Sequence, residues 1–237
     1  MLYEIENRVF EMFPAFRRGV VIAANINNAL GDPAVDQLLS AAIANVTINA
    51  SEIEKERIAV WNDAYRRLGI DPLKVTPSIS FLLNQIRRGK PPRSINTLVN
   101  IFNALSVKWI MPCGGDDLAA INGDNLRLGF ATGSETFSPL FKPTMVENPL
   151  AGELIYYTPQ TRRVLCRRWT WRNSDFSKLT TGTRAAAINL DFMKPLFTDK
   201  EIEAAVEELS NLVKQTCGEV VKSQILSPTL PCFEFSV

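Results

Sequence analysis

The spacing of apolar residues changes near Pro112, and this change constrains the fold more than any other feature of the sequence. Before Pro112, apolar residues recur at helical spacing. After it, short β-branched and aromatic runs are separated by Gly and Pro. Helices in one half and strands in the other are typical of an α+β fold rather than of alternating βαβ units.

Capping residues and apolar periodicity predict the helices. Ser51-x-x-Glu54 and Thr198-x-x-Glu201 are capping boxes, each of which opens an amphipathic segment. The predicted helices span residues 33–49, 51–68, 78–88, 94–108 and 198–213. The predicted strands span residues 3–13, 19–26, 126–131, 153–157, 164–171 and 184–192, and the tail 223–237 is expected to be irregular.

Histidine is missing from all 237 residues, which excludes whole classes of mechanism. A Ser-His-Asp triad, a Cys-His pair and an imidazole metal site are all impossible. The four cysteines are widely and irregularly spaced, so neither a zinc site nor a disulfide framework is predicted. We therefore predict no cofactor and no metal. Any acid–base catalysis must come from carboxylates, Lys, Tyr, Cys or the substrate itself.

The N-terminal region and the cysteine usage indicate a cytoplasmic protein. Acids stand where a signal peptide needs bases, and no apolar run is long enough to span a bilayer. Unpaired thiols fit a reducing compartment. No membrane partner is expected.

Two stretches without acids, 72–115 and 154–174, hold local excesses of positive charge, although the whole chain carries only +1. Arginine beside aromatic residues suits contact with phosphates and bases. The alternative is a solvated strand edge, balanced by the acidic helix that follows. The candidate RNA-binding residues are Arg87, Arg88, Lys90, Arg168 and Arg172.

Trp169 and Trp171 would share one face of a strand over 164–171, with Arg168 and Arg172 on the other face. Two core tryptophans are the first interpretation, and the wall of a pocket is the second. Gly114-Gly115 lets the backbone approach a ligand closely, but the P-loop Lys-Ser/Thr pair is missing, so a plain turn is favoured there.

Residues 93–129 resemble the B3/B4 domain of the bacterial phenylalanyl-tRNA synthetase β-subunit. The segment Ile-Asn-Thr-Leu-Val-Asn-Ile-Phe-Asn is similar to the family's I-N-N-x-V-D-x-T-N helix, and Pro-Cys-Gly-Gly-Asp-Asp is similar to its P-L-H-A-F-D motif. The remainder resembles freestanding B3/4 proteins. The resemblance implies one B3/4-like α+β domain over 1–237, with mixed packed sheets and flanking helices. Its parts would be helix-rich 1–111, strand-rich 112–197, and a C-terminal helix and tail over 198–237.

The resemblance also implies a function, the hydrolysis in trans of the ester of a mischarged aminoacyl-tRNA. Asp175 falls where the family has a pocket-lining Glu, and Asn103 matches the Asn of its helix motif. These two are the implied catalytic residues, with Asp175 orienting water or the substrate amine and Asn103 binding the amino acid. Gly114 replaces the family's His. The implied substrate-binding residues are Gly114, Gly115, Asp116, Trp169 and Trp171.

Two other functions stay open at this point. A non-catalytic module could bind tRNA or an amino acid on the same fold, since the motif's His is missing. A small-molecule enzyme or sensor could instead use Trp169 and Trp171 to box a free amino acid. The expected partner is the aminoacylated end of tRNA, or a free amino acid, and not DNA.

Overall fold

The computed structural model describes residues 1–46 and 49–237 and has an α+β architecture. The described helices are α1 (Asn7–Met12), α2 (Pro33–Ala44), α3 (Glu52–Arg67), α4 (Ser78–Arg87), α5 (Thr97–Trp109), α6 (Leu118–Ile121) and α7 (Asp199–Thr216). The described strands are β1 (Leu2–Ile5), β2 (Phe16–Ala24), β3 (Cys113–Asp117), β4 (Leu126–Phe130), β5 (Leu154–Thr158), β6 (Arg163–Arg167), β7 (Arg172–Asn173), β8 (Ala186–Met193), β9 (Glu219–Leu226) and β10 (Cys232–Glu234).

The strands form two sheets. The first has the order β10-β1-β4-β5-β6-β7 and is mixed, because β1 and β4 run parallel while its other pairs are antiparallel. The second has the order β3-β8-β2-β9 and is antiparallel. We call them the six-stranded and the four-stranded sheet.

Side-chain alternation gives the four-stranded sheet two different faces. Val20 and Ile22 point toward the six-stranded sheet, in the core cluster that also holds Tyr3 and Leu128. Val21 and its neighbours on the opposite face pack in a second cluster with α5 and α7. The four-stranded sheet is therefore the middle layer, with the other sheet on one side and two helices on the other.

Several predicted elements agree with the structure, because their apolar spacing is long and regular. The helices predicted over 51–68, 78–88, 94–108 and 198–213 correspond to α3, α4, α5 and α7. Thr198 and Glu201 form the reciprocal capping box. At α3, Ser51 accepts the Glu54 N–H, while the Glu54 carboxylate binds Arg87.

Predictions were wrong in part for residues 3–13, 33–49, 164–171 and 223–237. Residues 3–13 are strand only to Ile5, because Val9, Phe10 and Phe13 have helical spacing and pack into the core as α1 and its C-cap. The helix predicted over 33–49 ends at Ala44, and residues 47–48 lie outside the described chain. The tail is not irregular, since it contributes β9 and β10.

The strand predicted over 164–171 ends at Arg167. Arg168 and Trp169 have φ values of 50° and 65°, so the chain turns there and returns as β7. The Tyr65 hydroxyl of α3 holds this turn by donating to the Arg168 carbonyl at 2.9 Å. Trp169 and Trp171 thus do not share a strand face.

Candidate functional site

A charged pair is buried on the face of the four-stranded sheet that meets the other sheet. Arg18 of β2 lies directly across from Asp191 of β8, and its guanidinium donates to both carboxylate oxygens at 2.6 and 2.7 Å. Both residues are almost fully buried. Buried charges persist only when they are paired and hydrogen-bonded. Tyr3 and Trp169 supply those further bonds, at 3.2 Å to Arg18 and 3.1 Å to Asp191.

A cavity of about 270 Å³ opens beside this pair, and we call it the polar cavity. Tyr156 and Asn189 line it. The hydroxyl of Tyr156 and the Oδ1 atom of Asn189 are buried and have no hydrogen-bond partner among the described residues. An unpartnered buried polar atom is costly, so these two atoms are suited to bind a ligand that enters the cavity. Burial also raises the pKa of Tyr156, which keeps its hydroxyl protonated.

Gly114 and Gly115 form part of β3 rather than the plain turn that was favoured from sequence. They can extend because β8 supplies a ladder on one side, with Gly114 opposite Asn189. The Asp191 N–H donates to the Pro112 carbonyl. This bond fixes which amides of β3 face β8 and which face away from it, because the two directions alternate along the strand. In that register, the amide of Gly114 faces β8, whereas the amides of Cys113 and Gly115 face away from it.

The two glycines therefore have different roles. Position 114 is open, because a Cβ built on Gly114 would meet nothing within 4 Å. A Cβ on Gly115 would lie 3.1 Å from Leu179. The outward N–H groups of Cys113 and Gly115 are available donors at the sheet edge, and no described residue accepts from either. Of the two glycines named as implied substrate-binding residues, only Gly115 presents its N–H at this edge.

Asp116 follows on the same strand and is buried. Burial raises the pKa of its carboxyl to about 7, although Ser177 donates to it at 2.5 Å and Arg18 lies near enough to oppose the shift. A carboxyl that titrates near neutrality in a cavity is a candidate for acid–base chemistry.

A second cavity of about 450 Å³ adjoins the first, and we call it the apolar cavity. It is lined by residues of α4, α5 and the segment around Phe141, with Asn103 among them. The two cavities meet at a junction of shared residues: Ser78, Cys113, Gly115, Asp116, Leu140 and Asn173. Asp116 and the outward donor of Gly115 thus lie where the two spaces meet.

The structure separates the residues that the family resemblance had grouped. Gly114 lines the polar cavity and Asn103 lines the apolar one. Among the described residues, Asp175 lines neither. Its carboxylate accepts from the Phe141 N–H at 2.9 Å and from Lys178 at 2.7 Å, and the bond from Lys178 holds its pKa below the usual range.

The tryptophans take different positions. Trp169 is buried against Phe13, Phe16 and Trp61, with ring centroids 4.8 to 5.1 Å apart, and it also borders the polar cavity. Trp169 is therefore both a core residue and part of a cavity wall. Trp171 is partly exposed on the same cavity wall.

The arginine run after β5 has acid partners that the local sequence does not show. Arg167 binds Glu147 and Glu153 at 2.7 Å, and Arg172 binds Glu147 at 2.9 Å. Arg168 and Arg172 lie 4.7 and 5.2 Å from the Trp171 ring. Arg167 and Arg172 are therefore balanced by acids within the fold, whereas Arg162 and Arg163 of the same run are exposed.

The earlier basic run is similarly divided. Arg87 donates to the Glu54 carboxylate at 2.5 and 2.7 Å, so part of its charge is used within the fold. Arg88 and Lys90 are exposed at the end of α4. The predicted role of these residues in binding RNA stays a prediction.

Four cavity residues were missed from the sequence: Arg18, Tyr156, Asn189 and Asp191. A signal existed for two of them, because Arg18 adjoins the predicted buried strand over 19–26 and Asp191 lies inside the strand predicted over 184–192. A charge in a buried strand needs a partner, and two such charges of opposite sign could have been matched. Tyr156 and Asn189 carry no comparable signal.

Three further features of the described residues concern metal ligands, thiols and helix hydropathy. No group of three or more His, Cys, Asp or Glu residues there could hold a metal ion. Burial raises the pKa of Cys113 and of Cys166, the latter to about 12, so both thiols stay protonated near neutrality. No helix among the described residues is long and apolar enough to cross a membrane.

Comparison with known proteins identifies a family and shows likenesses to solved structures. No curated protein matches this chain. A solved N-terminal fragment of the phenylalanyl-tRNA synthetase β-subunit from Pyrococcus horikoshii is 10% identical, with a TM-score of 0.44. That match covers 94% of this chain but only 49% of the fragment, so this chain spans about half of the fragment's length. The B3/4 domain model matches residues 60–218, about two-thirds of the sequence and most of the site described above, and the chain belongs to the B3/4 domain family.

Proposed function

We propose that this protein binds the aminoacylated 3′ end of a tRNA and hydrolyses the ester that joins the amino acid to the ribose. The observation that carries this proposal is the junction of the two cavities. There, a carboxyl with a pKa of about 7 lies on the same strand as two outward backbone N–H groups.

Asp116 would act as the general base. Its ionised carboxylate takes a proton from a water molecule as the water oxygen attacks the ester carbonyl. The protonated carboxyl then returns that proton to the departing ribose oxygen, which releases the free amino acid and the deacylated tRNA. The pKa of about 7 leaves both protonation states populated near neutral pH.

The N–H groups of Cys113 and Gly115 would stabilise the negative charge that develops on the carbonyl oxygen. They lie on the edge of β3 and need no rearrangement to donate. In the polar cavity, Asn189 Oδ1 would accept from the substrate's ammonium group. The choice of tRNA as substrate is supported by the resemblance of residues 93–129 to the synthetase domain.

The test is hydrolysis of a full panel of aminoacyl-tRNAs by the purified protein. Replacing Asp116 with Asn keeps the shape of the side chain and its acceptor for Ser177 but removes the base, so we expect the rate to fall about 10²- to 10⁴-fold. Asp63, which is exposed on α3, gives the matched control Asp63→Asn, whose rate should equal that of the wild type.

Asp175→Ala is a further comparison. Asp175 anchors Phe141 beside the apolar cavity, so its loss should slow the reaction less than the loss of Asp116 does. Absence of turnover with every member of the panel would rule out the enzymatic function.

The second candidate is a binding module without hydrolysis. The unpartnered Tyr156 and Asn189 atoms favour it, because they bind a ligand without needing any reaction. A titration with uncharged tRNA at low and high salt would test this function, since binding to phosphates weakens steeply with salt. A thermal midpoint raised by free amino acids would instead indicate a small-molecule sensor.

A further inference from the structure

A separate cavity, of about 430 Å³, lies between two turns of the chain, and we call it the turn cavity. One side is the turn that follows α3, within residues 68–75, and the other is the turn before β5, within residues 150–154. Arg168 completes the lining. The turn cavity shares no lining residue with the polar or the apolar cavity, so a ligand bound there would lie outside the site proposed for ester hydrolysis.

Tyr65 of α3, which is fully buried, holds both sides of the turn cavity. Its carbonyl accepts from the Ile70 N–H at 2.9 Å, which closes the turn after α3. Its hydroxyl donates to the Arg168 carbonyl, also at 2.9 Å. The next residue, Trp169, donates its N–H to the Leu154 carbonyl at 2.8 Å. These bonds fix the shape of the cavity, so binding a ligand requires little reordering of the chain.

The guanidinium of Arg168 is largely covered but has no hydrogen-bond acceptor among the described residues. Only 26% of its side chain is exposed, and the Glu153 carboxylate lies 3.9 Å from its Nε atom, which is too far for a hydrogen bond. Both oxygens of that carboxylate accept instead from Arg167, at 2.8 and 2.7 Å. The N–H groups of Arg168 are therefore available to an anionic ligand.

Lys74 brings a second positive charge to the lining from a different segment. It is exposed and forms no ion pair with any residue that the structure describes. The acids of the lining are Asp71 and Glu153, and Arg167 neutralises Glu153. The positive charges of Lys74 and Arg168 thus remain against the single negative charge of Asp71. Two cations on separate segments suit an anionic group that has several acceptor oxygens.

Much of the remaining lining is apolar. It includes Leu68, Val75, Leu150 and Leu154. The volume of the turn cavity lies within the range of small-molecule sites and exceeds what an inorganic anion alone would fill. The ligand that fits this cavity therefore has an organic part beside its anionic group.

We propose that the turn cavity binds a small organic phosphate monoester. The phosphate oxygens would accept from the Arg168 guanidinium and meet the Lys74 ammonium, while the organic part packs against Val75 and Leu150. A phosphate monoester fits better than a carboxylate, because it carries nearly two negative charges near neutral pH and offers three terminal oxygens to two separate cations.

Calorimetric titration of the whole chain with phenyl phosphate tests this site. We expect the wild type to bind phenyl phosphate more tightly than benzoate or inorganic phosphate. Arg168→Gln removes the charged donor and should weaken binding about 10- to 100-fold. Lys74→Met should weaken it about two- to fivefold, because Lys74 is exposed.

Asp71→Asn gives a change of opposite sign. It keeps an acceptor for the Leu73 N–H, which now donates to Asp71 Oδ1 at 3.0 Å, but it removes the remaining negative charge of the lining. Binding of phenyl phosphate should become about two- to fivefold tighter. Lys200→Met is the matched control for Lys74→Met, since Lys200 is exposed on α7 and does not line the turn cavity, and its affinity should equal that of the wild type.

The thermal midpoint of each variant reports whether it folds, and the variants at the exposed positions 71 and 74 keep the test decisive if Arg168→Gln does not fold. Equal affinities across the wild type and the variants at positions 71 and 74 would overturn the site. So would benzoate binding as tightly as phenyl phosphate. Equally tight binding of the diester methyl phenyl phosphate would overturn the monoester and indicate a contact for an RNA backbone instead.

None of these probes is an aminoacyl ester, so the measurement is independent of the proposed hydrolysis. Affinities that follow the charges of the turn cavity, without turnover of any aminoacyl-tRNA, would keep this site and remove the hydrolase. Turnover of an aminoacyl-tRNA without binding of phenyl phosphate would keep the hydrolase and remove this site.

Discussion

At the scale of single residues, Asp116 has the most direct chemical consequences. Its carboxyl is buried, lies at the junction of two cavities and accepts from Ser177. The sequence offered Asp116 as a substrate-binding residue and Asp175 as the catalytic one. In the structure, Asp175 forms an ion pair with Lys178 and accepts from the Phe141 N–H, so the proposed base is Asp116. The two carboxylates differ in their burial, which the neighbouring residues in the sequence do not reveal.

The raised pKa of Asp116 predicts how stability depends on pH. The carboxyl binds its proton more tightly in the folded state, where its pKa is about 7, than in the unfolded chain, where it is 3.8. This contribution to the free energy of unfolding is complete below pH 4 and is lost as the pH rises through 7. Urea unfolding between pH 4 and 8 should show the decline in the wild type relative to Asp116→Asn. Parallel curves for the two proteins would contradict the raised pKa.

At the scale of secondary-structure elements, the long helices were predictable and the sheet edges were not. The helices α3, α5 and α7 carry apolar stripes over three or more turns, which is a local signal. The strand β3 contains two glycines, and β9 is a largely exposed edge strand. The extended conformation of β3 depends on pairing with β8, and that of β9 depends on pairing with β2. Because these partners lie far along the chain, no local sequence pattern predicts the two strands.

The contact between β2 and α7 leads to a prediction about packing. A Cβ built on Gly19 would lie 2.3 Å from Val206 Cγ2, and the stiff valine cannot move without shifting the helix. We expect Gly19→Ala to lower the free energy of unfolding by about 1–3 kcal/mol in urea titrations. Gly114→Ala is the control, since position 114 is open, and its stability should match the wild type. Equal stability of the two variants would disprove the close approach.

At the scale of the whole molecule, the fold class follows from the sequence, whereas the site depends on pairings between distant segments. Helices before Pro112 and strands after it predicted α+β correctly, although β1 and β2 come from the first half and complete the two sheets. Arg18 and Asp191 lie 173 residues apart and meet only because β2 pairs with β8. Local periodicity gives the elements, but it does not give the register that brings these side chains together.

The Arg18–Asp191 pair also joins the two sheets, because Tyr3 of the six-stranded sheet accepts from Arg18. Asp191→Asn would leave the buried guanidinium without its countercharge, and we expect a loss of about 3–5 kcal/mol in the free energy of unfolding. The exposed pair Asp63–Arg66 is the control, and Asp63→Asn should cost about 0–1 kcal/mol. Similar small losses in both variants would show that the buried pair does not hold the sheets together.

The tryptophans give the protein an optical readout of its own cavity. Trp171 is partly exposed on the wall of the polar cavity between two guanidinium groups, whereas Trp61 is sealed in the core and Trp169 is buried but borders the same cavity. Indole emission shifts with the polarity around the ring, so a ligand that displaces water from the wall should move the Trp171 signal while that of Trp61 stays constant. Occupancy of the cavity can thus be followed in the unlabelled protein, with the wild type compared against Trp171→Phe.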